Sequence, residues 1–389
     1  MPRSPPGRAP MHERPCMGCP VRSSSRHPVF TWRTLWQCVL PLVKSLLIFG
    51  PDKRFVPRSF SCRDDARAVT TARFLGGVYM IVGSVCMSHS PIMDKNRASP
   101  DTEKRFHAAL NEARNFVAAA EPELTVVFYP DHVNGFFYDL LPSFCVGIEG
   151  QSIGDYGTAA GKLNIPQDRA LDLVRHVMDR GVDTAISYRM EVDHGAMQPV
   201  ELLADAYPLS RIIPIFINSA ADPRPNFERV RAIGEAVGEW ARAAPERVLV
   251  LGSGGLSHDP PVPALATATP EVRARLINGG DLSHEQRMIR QNRATTEGIA
   301  MRAGNSKLLP LDPAWDRMLL DAFLAGKLDV LDDTSDRSIT ETGGRGGHEV
   351  RTWVAALAAM GPGYAARELF YEPIDEWITG MGILSATAA

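Results

Sequence analysis

Short apolar runs alternate with stretches of helical periodicity along the chain from residue 80 onward. In the stretch 226–243, apolar side chains recur at Val230, Ile233 and Val237, which is the spacing of one helix face. Strand–helix alternation is typical of an α/β domain in which helices cover a largely parallel sheet. We interpret five apolar runs as strands: 79–87, 124–129, 184–190, 212–217 and 247–251.

Helices are expected between these strands, and they dominate the pattern after Pro270. No internal repeat is visible. The predicted fold class is therefore a layered α/β/α domain with a largely parallel or mixed central sheet and a helical C-terminal part. The expected helices are 102–120, 166–180, 199–206, 226–243, 271–278, 284–303, 313–325 and 349–360.

Charge separates the first 79 residues from the rest of the chain. They hold 11 Arg and 2 Lys against four acidic residues, a net charge of +9, whereas the whole 389-residue chain carries −3. Residues 80–389 are therefore acidic, and nothing in the overall charge indicates a nucleic-acid partner. No apolar run reaches the ~20 residues that cross a bilayer, so no membrane partner is expected. Only Cys86 and Cys145 lie in this part, which favours a reducing compartment, the cytoplasm.

Three interpretations compete for residues 1–79. An apolar run after an Arg-rich stretch resembles a targeting sequence, but a proline and a lysine interrupt it. Cys16 and Cys19 form a lone CxxC, which is weak evidence for a metal site without a second pair. The third interpretation, which we favour, is that the natural start is Met80, where the strand pattern begins. We expect residues 1–79 to be a disordered Arg- and Pro-rich extension, and a chain starting at Met80 to be as active as the whole.

Histidines follow four of the five predicted strands. In an open α/β sheet the carboxyl ends of parallel strands share one edge, and ligands bind there. One histidine after a strand is more often a turn residue than a ligand, but four at equivalent positions indicate a site. Asp131 and Asp193 precede two of them, and a neighbouring carboxylate can fix the tautomer of a ligating or catalytic histidine. The four are His89, His132, His194 and His258.

Such a cluster supports metal and proton-transfer chemistry. Neutral imidazoles and carboxylates are good ligands for divalent iron, manganese or zinc, and two histidines with one carboxylate are typical of non-haem Fe(II) oxygenases. Two further histidines could move protons, because their ordinary pKa lies near neutrality. The glycine-rich segment 252–255 lacks the spacing of a dinucleotide loop, the lysine of a P-loop and the frame of a nucleophile elbow. Its glycines are better explained by a tight turn close to a ligand.

Six segments, in one order along the chain, resemble a known family. They read SHSP at 88–91, PDH and NGFFYD within 130–139, VDHG at 192–195, GSGGLSH at 252–258, HE before TWVAA within 348–356, and EWI at 376–378. Together they resemble the class III extradiol catechol dioxygenases of the LigB superfamily, from residue 80 to about 386. The set is far more specific than any single motif. The resemblance makes residues 80–389 the catalytic domain.

The resemblance implies roles for five residues. His89 and His132 match the two histidine ligands of a ferrous ion, Fe(2+), and Glu349 matches its carboxylate ligand. His194 matches the proton donor and His258 the proton acceptor. The resemblance also implies a small-molecule catechol and O2 as partners, and a homo-oligomer such as a tetramer.

The motifs are closest to those of family members that act on 3-(2,3-dihydroxyphenyl)propanoate and the matching cinnamate. The implied reaction opens the ring beside the diol with both atoms of O2 and gives a 2-hydroxy-6-oxo-dienedioate. Two alternatives stay open, namely another catechol such as protocatechuate or gallate, and a zinc hydrolase that uses the same His and Glu cluster. Phe136, Phe137 and Tyr138 are candidates for an aromatic pocket, with core packing an equal alternative. No residue stands out as the partner of the propanoate carboxylate.

Overall fold

The computed structural model describes residues 80–280 and 282–389. The interpretations of residues 1–79, including the disordered extension, concern a segment that lies outside the described residues. In the described part, no helix is both long enough and apolar enough to span a membrane.

The strands and helices are numbered along the chain. The strands are β1 Ile81–Met87, β2 Leu124–Tyr129, β3 Phe144–Gly147, β4 Gly150–Ile153, β5 Ala160–Lys162, β6 Ala185–Ser187, β7 Met190–Val192, β8 Ile212–Ile217, β9 Val248–Ser253, β10 Ala365–Ile374 and β11 Thr379–Thr387. The helices are α1 Pro100–Ala120, α2 Gln167–Asp179, α3 His194–Ala204, α4 Phe227–Ala243, α5 Pro270–Asn278, α6 His284–Arg302, α7 Pro313–Leu324, α8 Asp336–Thr342 and α9 Val350–Ala359.

A mixed eight-stranded sheet forms the centre of the described part, with the order β10-β11-β1-β9-β2-β8-β3-β6. The strands β1, β9, β2 and β8 run parallel to one another. The hairpin β10–β11 joins β1 antiparallel, and β3 joins β8 antiparallel. A second sheet has the order β5-β4-β7. The predicted mixed central sheet is confirmed.

Helices cover both faces of the large sheet. Because successive side chains of a strand point to opposite faces, β2 contributes to two cores. Val126 and Phe128 pack in the core that includes α2, α4 and α9, whereas Val127 and Tyr129 pack in the core that includes α1 and α3. The predicted α/β/α layering is therefore confirmed.

One predicted element is wrong, and one element is missing from the prediction. The run 184–190 is not one strand, because a turn at Tyr188 and Arg189 divides it between β6 in the large sheet and β7 in the small one. The part after Pro270 is mostly helical, as predicted, but its last residues, 365–387, form the β10–β11 hairpin. The pattern missed this hairpin because β10 mixes charged and apolar residues and β11 is rich in small residues.

The sheet order places the candidate site. Because β1, β9 and β2 are parallel neighbours, the residues that follow them meet at one edge. Helix α9 approaches that edge with its N-terminus and packs closely on α4. A Cβ at Gly234 or Gly238 would lie 2.2 or 2.0 Å from a backbone oxygen of α9, so only glycine permits this approach. The packing fixes the position of Glu349, directly before α9.

Candidate metal centre

Five side chains converge at the carboxyl edge of the sheet. His89 follows β1, His132 follows β2 and His258 follows β9, as the sequence predicts. His194 arrives differently, because it is the first residue of α3 and follows β7 of the small sheet. Glu349 completes the cluster at the end of a 3₁₀ turn that leads into α9. The structure brings all five predicted site residues together.

Polar atoms of His89, His132 and Glu349 face one point. Nε2 of His89 lies 3.4 Å from Nε2 of His132. The Glu349 carboxylate lies 3.7 Å from the first and 3.4 Å from the second of these nitrogens. Metal–ligand bonds of ~2.0–2.2 Å place neighbouring ligands of one ion roughly 3 Å apart. The spacing and chemistry of this donor set fit a divalent metal ion.

A third imidazole lies close to the same point. Ligand atoms of His89, His132 and His194 lie within 4.8 Å of one another. The rings of His132 and His194 stack with their centroids 4.4 Å apart. A set of three histidines is therefore a geometric rival to the set of two histidines and Glu349.

The two histidines that follow β1 and β2 are oriented from behind. Nδ1 of His89 lies 3.0 Å from Oγ of Ser253, and Nδ1 of His132 lies 2.9 Å from Oδ2 of Asp193. These bonds direct each Nε2 towards the centre. Burial lowers the pKa of His89 to about 3, which keeps the ring in the neutral form that binds metals.

The two aspartates that precede histidines in the sequence do not pair with those histidines. Asp193 binds His132 and not His194, whereas Asp155 accepts from Nδ1 of His194 at 2.6 Å and from its backbone N–H at 2.7 Å. Asp131 accepts instead from three backbone N–H groups of the turn that follows His132. Sequence reasoning missed Asp155, which lies in a loop of the small sheet. The only local signal is that it stands between glycines at 154 and 157.

His194 and His258 differ in the group that accepts their Nδ1–H. His194 donates to the Asp155 carboxylate, whereas His258 donates to the neutral carbonyl of Leu256 at 3.0 Å. A carboxylate stabilises a protonated imidazole, and a carbonyl fixes the tautomer without adding charge. In both rings Nε2 is left as the atom that can exchange a proton.

Glu349 is buried among positive and polar partners. Its carboxylate accepts from the backbone N–H of Gly255 at 2.9 Å and lies 3.3 Å from Nε2 of His258. Burial alone would raise its pKa, but His258 and His132 outweigh burial and hold the pKa well below 4.5. The carboxylate is therefore ionised, which is the form that a cation requires.

A cleft of about 610 Å³ opens over the cluster. Its polar side is formed by the four histidines, and its apolar side includes Ile92, Ala294 and Ile378. The ring of Tyr156 lies at the polar side, 4.8 Å from that of His194. A planar ligand could therefore place its polar groups at the histidine cluster and pack its apolar ring against the apolar side of the cleft.

The suggested aromatic pocket at residues 136–138 does not line this cleft. Phe136 stacks on Phe216 with centroids 3.9 Å apart, so the core-packing alternative holds for it. Phe137 and Tyr138 line neighbouring cavities. The aromatic residues that do line the cleft are Tyr156 and Trp377, which lie far from this motif in sequence.

Comparisons with known proteins show which family the chain belongs to. The model of the catalytic LigB subunit of aromatic ring-opening dioxygenases matches residues 83–382. Curated relatives named 2,3-dihydroxyphenylpropionate/2,3-dihydroxicinnamic acid 1,2-dioxygenase include one from Rhodococcus sp, 48% identical over 311 residues, and one from Rhodococcus jostii, 45% identical over 311 residues. Another, from Azotobacter vinelandii, is 44% identical over 309 residues. Each alignment covers 79% of this chain and 99% of the relative.

A solved structure of an uncharacterized protein from Escherichia coli K12 aligns over 78% of this chain and 98% of its own, with 11% identity and a TM-score of 0.42. That likeness is too weak to bear on the fold. The sequence relatives and the family model are decisive, because both extend over most of residues 80–389. The chain belongs to the LigB family of aromatic ring-opening dioxygenases, and it is a metal-dependent extradiol dioxygenase.

Proposed function

We propose that this enzyme uses Fe(2+) and O2 to open the ring of 3-(2,3-dihydroxyphenyl)propanoate, and of the matching cinnamate, beside the diol. The observation that carries the proposal is the convergence of two imidazoles and one carboxylate below a cleft, with two further histidines at its rim. The substrate follows from the names of the relatives, which align over 99% of their own length. The product is a 2-hydroxy-6-oxo-dienedioate.

We assign the metal to His89, His132 and Glu349. These residues supply two imidazole nitrogens and one anionic oxygen, a set that suits Fe(2+) and leaves room for two further partners. A ferrous ion held there supplies the Lewis acidity and one-electron chemistry that join a catechol to O2. His194 is left out of this set because Glu349 supplies an anionic oxygen that faces Nε2 of both other histidines. Nε2 of His194 then stays available for proton transfer.

His258 is the proton acceptor in this proposal. A catechol loses protons before both of its oxygens can bind a metal, and a base of near-neutral pKa suits that step. The Leu256 carbonyl holds the Nδ1–H tautomer, so that Nε2 presents its lone pair to the cleft. Burial lowers the pKa of His258, but the Glu349 carboxylate, 3.3 Å from its Nε2, outweighs burial and raises the pKa. A cation bound by Glu349 would offset this effect and favour the neutral base.

His194 is the proton donor. The Asp155 carboxylate holds its Nδ1 at 2.6 Å and so orients the ring, which lines the cleft. It gives a proton to the oxygen that departs as the ring carbon–carbon bond is cleaved, which lowers the barrier for that departure. The different partners of the two histidines support opposite roles for them.

The glycine-rich turn before Glu349 gives His258 its space. A Cβ at Gly346 would lie 1.9 Å from Nε2 of His258, and a Cβ at Gly344 would lie 2.2 Å from its backbone oxygen. The same turn accepts a hydrogen bond from the backbone N–H of His258 through Gly343, at 2.9 Å. The turn therefore positions the proton acceptor as well as the carboxylate.

We expect Gly346→Ala to lower kcat by roughly 10²-fold while the metal stays bound, because the added methyl group displaces Nε2 of the base. Gly347→Ala is the matched control, since its Cβ meets a side chain at 3.1 Å and no part of His258. Steady-state rates, metal content and thermal melting of both variants provide the measurement. Full activity of Gly346→Ala would show that the glycine-rich turn does not position His258.

Other parts of the proposal concern the state of the protein. We propose that residues 80–389 are the catalytic domain, that the enzyme works in the cytoplasm, and that it is a homo-oligomer. Burial of Cys86 and Cys145 as thiols supports a reducing compartment. Light scattering of the purified protein measures the oligomeric state.

The test is to react the enzyme with ¹⁸O2 and each of several catechols and to analyse the products. We expect both labelled atoms in one ring-opened, yellow product from 3-(2,3-dihydroxyphenyl)propanoate. We expect kcat/KM for protocatechuate and gallate to be at least ~10-fold lower, because they lack the longer side chain. A higher kcat/KM for gallate would shift the substrate to the alternative catechol, and hydrolysis without uptake of O2 would favour the zinc hydrolase.

A further inference from the structure

One cationic side chain lines the cleft above the cluster. Of the described residues that form its wall, Arg290 on α6 is the only lysine or arginine. The same arginine lines the two adjoining cavities, so it stands where the three spaces meet. The opposite wall is apolar and includes Ile92 and Ile378.

The guanidinium of Arg290 is held by neutral groups. Nη2 donates to the backbone oxygen of His132 at 2.6 Å, and Nη1 donates to Oδ1 of Asn134 at 2.8 Å. Within the described residues, no carboxylate forms an ion pair with this guanidinium. Five N–H donors leave it able to bind an anion as well. The side chain is half-buried, so an anion beside it would be poorly screened by water.

The other arginines near the cluster are committed or displaced. Arg345 donates to Asp259 at 2.6 Å and to two backbone oxygens of the following loop. Arg224 donates to Asp336 and to backbone oxygens at 219 and 220. Arg275 lines the adjoining cavities but not the cleft. Among these arginines, Arg290 is therefore the one that lines the cleft and still has N–H donors for an anion.

The length of the substrate's propanoate tail is compatible with the position of Arg290 relative to the metal position. Within His132, Nε2 faces the metal position and the backbone oxygen binds Arg290. The path between these two atoms crosses the same number of covalent bonds as the path from a catechol oxygen to a carboxylate oxygen in 3-(2,3-dihydroxyphenyl)propanoate. The tail of a substrate that binds the metal beside His132 is therefore long enough to reach Arg290.

We propose that Arg290 binds the side-chain carboxylate of the substrate and so selects catechols that carry an anionic tail. This inference rests on the proposed function. The pair is a charge-assisted hydrogen bond, and a guanidinium can make it bidentate.

The test compares Arg290→Gln with Arg293→Gln, an exposed arginine one turn further along α6. We expect Arg290→Gln to lower kcat/KM for 3-(2,3-dihydroxyphenyl)propanoate by about 10- to 100-fold, mainly through KM. For the uncharged 3-propylcatechol, kcat/KM should stay within ~3-fold of wild type. Arg293→Gln should leave both substrates unchanged. An equal loss for both substrates in Arg290→Gln would overturn the proposal and make the residue a support for His132.

Binding provides a readout that needs no turnover. We expect 3-phenylpropanoate, which has the tail but no diol, to bind metal-free wild-type protein and to bind Arg290→Gln about 10-fold more weakly. Equal binding to both would overturn the proposal. If the iron-loaded wild type cleaves neither catechol, the proposed function fails. If it cleaves 3-propylcatechol as efficiently as the propanoate, only the role of Arg290 fails.

Discussion

We expect Glu349→Gln to yield a folded protein that no longer holds iron and no longer opens catechol rings. The amide matches the carboxylate in shape and can still accept from the backbone N–H of Gly255. It removes the one anionic donor that faces both His89 and His132. Loss of groups that only support a ligand already weakens metal binding by ~10- to 100-fold, so we expect at least ~100-fold for the ligand itself. Metal analysis after anaerobic loading with Fe(II) measures this.

The control for this variant is Glu341→Gln, an exposed carboxylate on α8 that pairs with Arg337. It should bind iron and turn over like the wild type. A Glu349→Gln protein with unchanged iron content would contradict the account. It would instead favour the rival set of His89, His132 and His194.

We expect His194→Ala to retain its iron and to lose ring cleavage by about 10²- to 10⁴-fold, the usual contribution of a positioned acid or base. The expectation follows from Asp155, which takes the Nδ1–H of His194 and leaves Nε2 for proton transfer. Iron content and single-turnover rates under O2 separate binding from chemistry. His258→Ala should behave in the same way, but the step it slows is substrate deprotonation.

Loss of iron in His194→Ala, with normal turnover per bound metal, would refute the assignment of His194 as an acid. Asp155→Asn is the matched companion, because it keeps the shape of the buried carboxylate and removes its charge. It should keep iron and show part of the loss of His194→Ala, since the ring stays in place without its stabilising anion.

The predictable part of the fold is the part with strong periodicity. Strands β2 and β8 match their apolar runs, because buried parallel strands are continuously apolar. The β10–β11 hairpin was missed because its stability comes from pairing with β1 across almost the whole chain. The local sequence pattern of β10 and β11 does not indicate that they pair with a strand as distant in sequence as β1. The division of 184–190 into two strands likewise depends on which sheet each half joins.

The site was predictable where strand order alone brings residues together. His89, His132 and His258 follow strands that prove to be parallel neighbours, so their convergence follows from topology. Asp155 and Arg290 were not predictable, since a loop of the small sheet and the helix α6 bring them to the site. The hydrogen-bond partner of each histidine depends on the tertiary structure, so it cannot be predicted from the neighbouring residues in the sequence.

The decisive experiment is the anaerobic titration of metal-free protein with Fe(II), followed by addition of 3-(2,3-dihydroxyphenyl)propanoate and O2. We expect the rate of ring opening to rise in proportion to added iron and to level off at about one Fe(II) per chain. Zn(II) should occupy the same site and give no product. Full activity with Zn(II), or ring opening that does not depend on added iron, would contradict the proposed function.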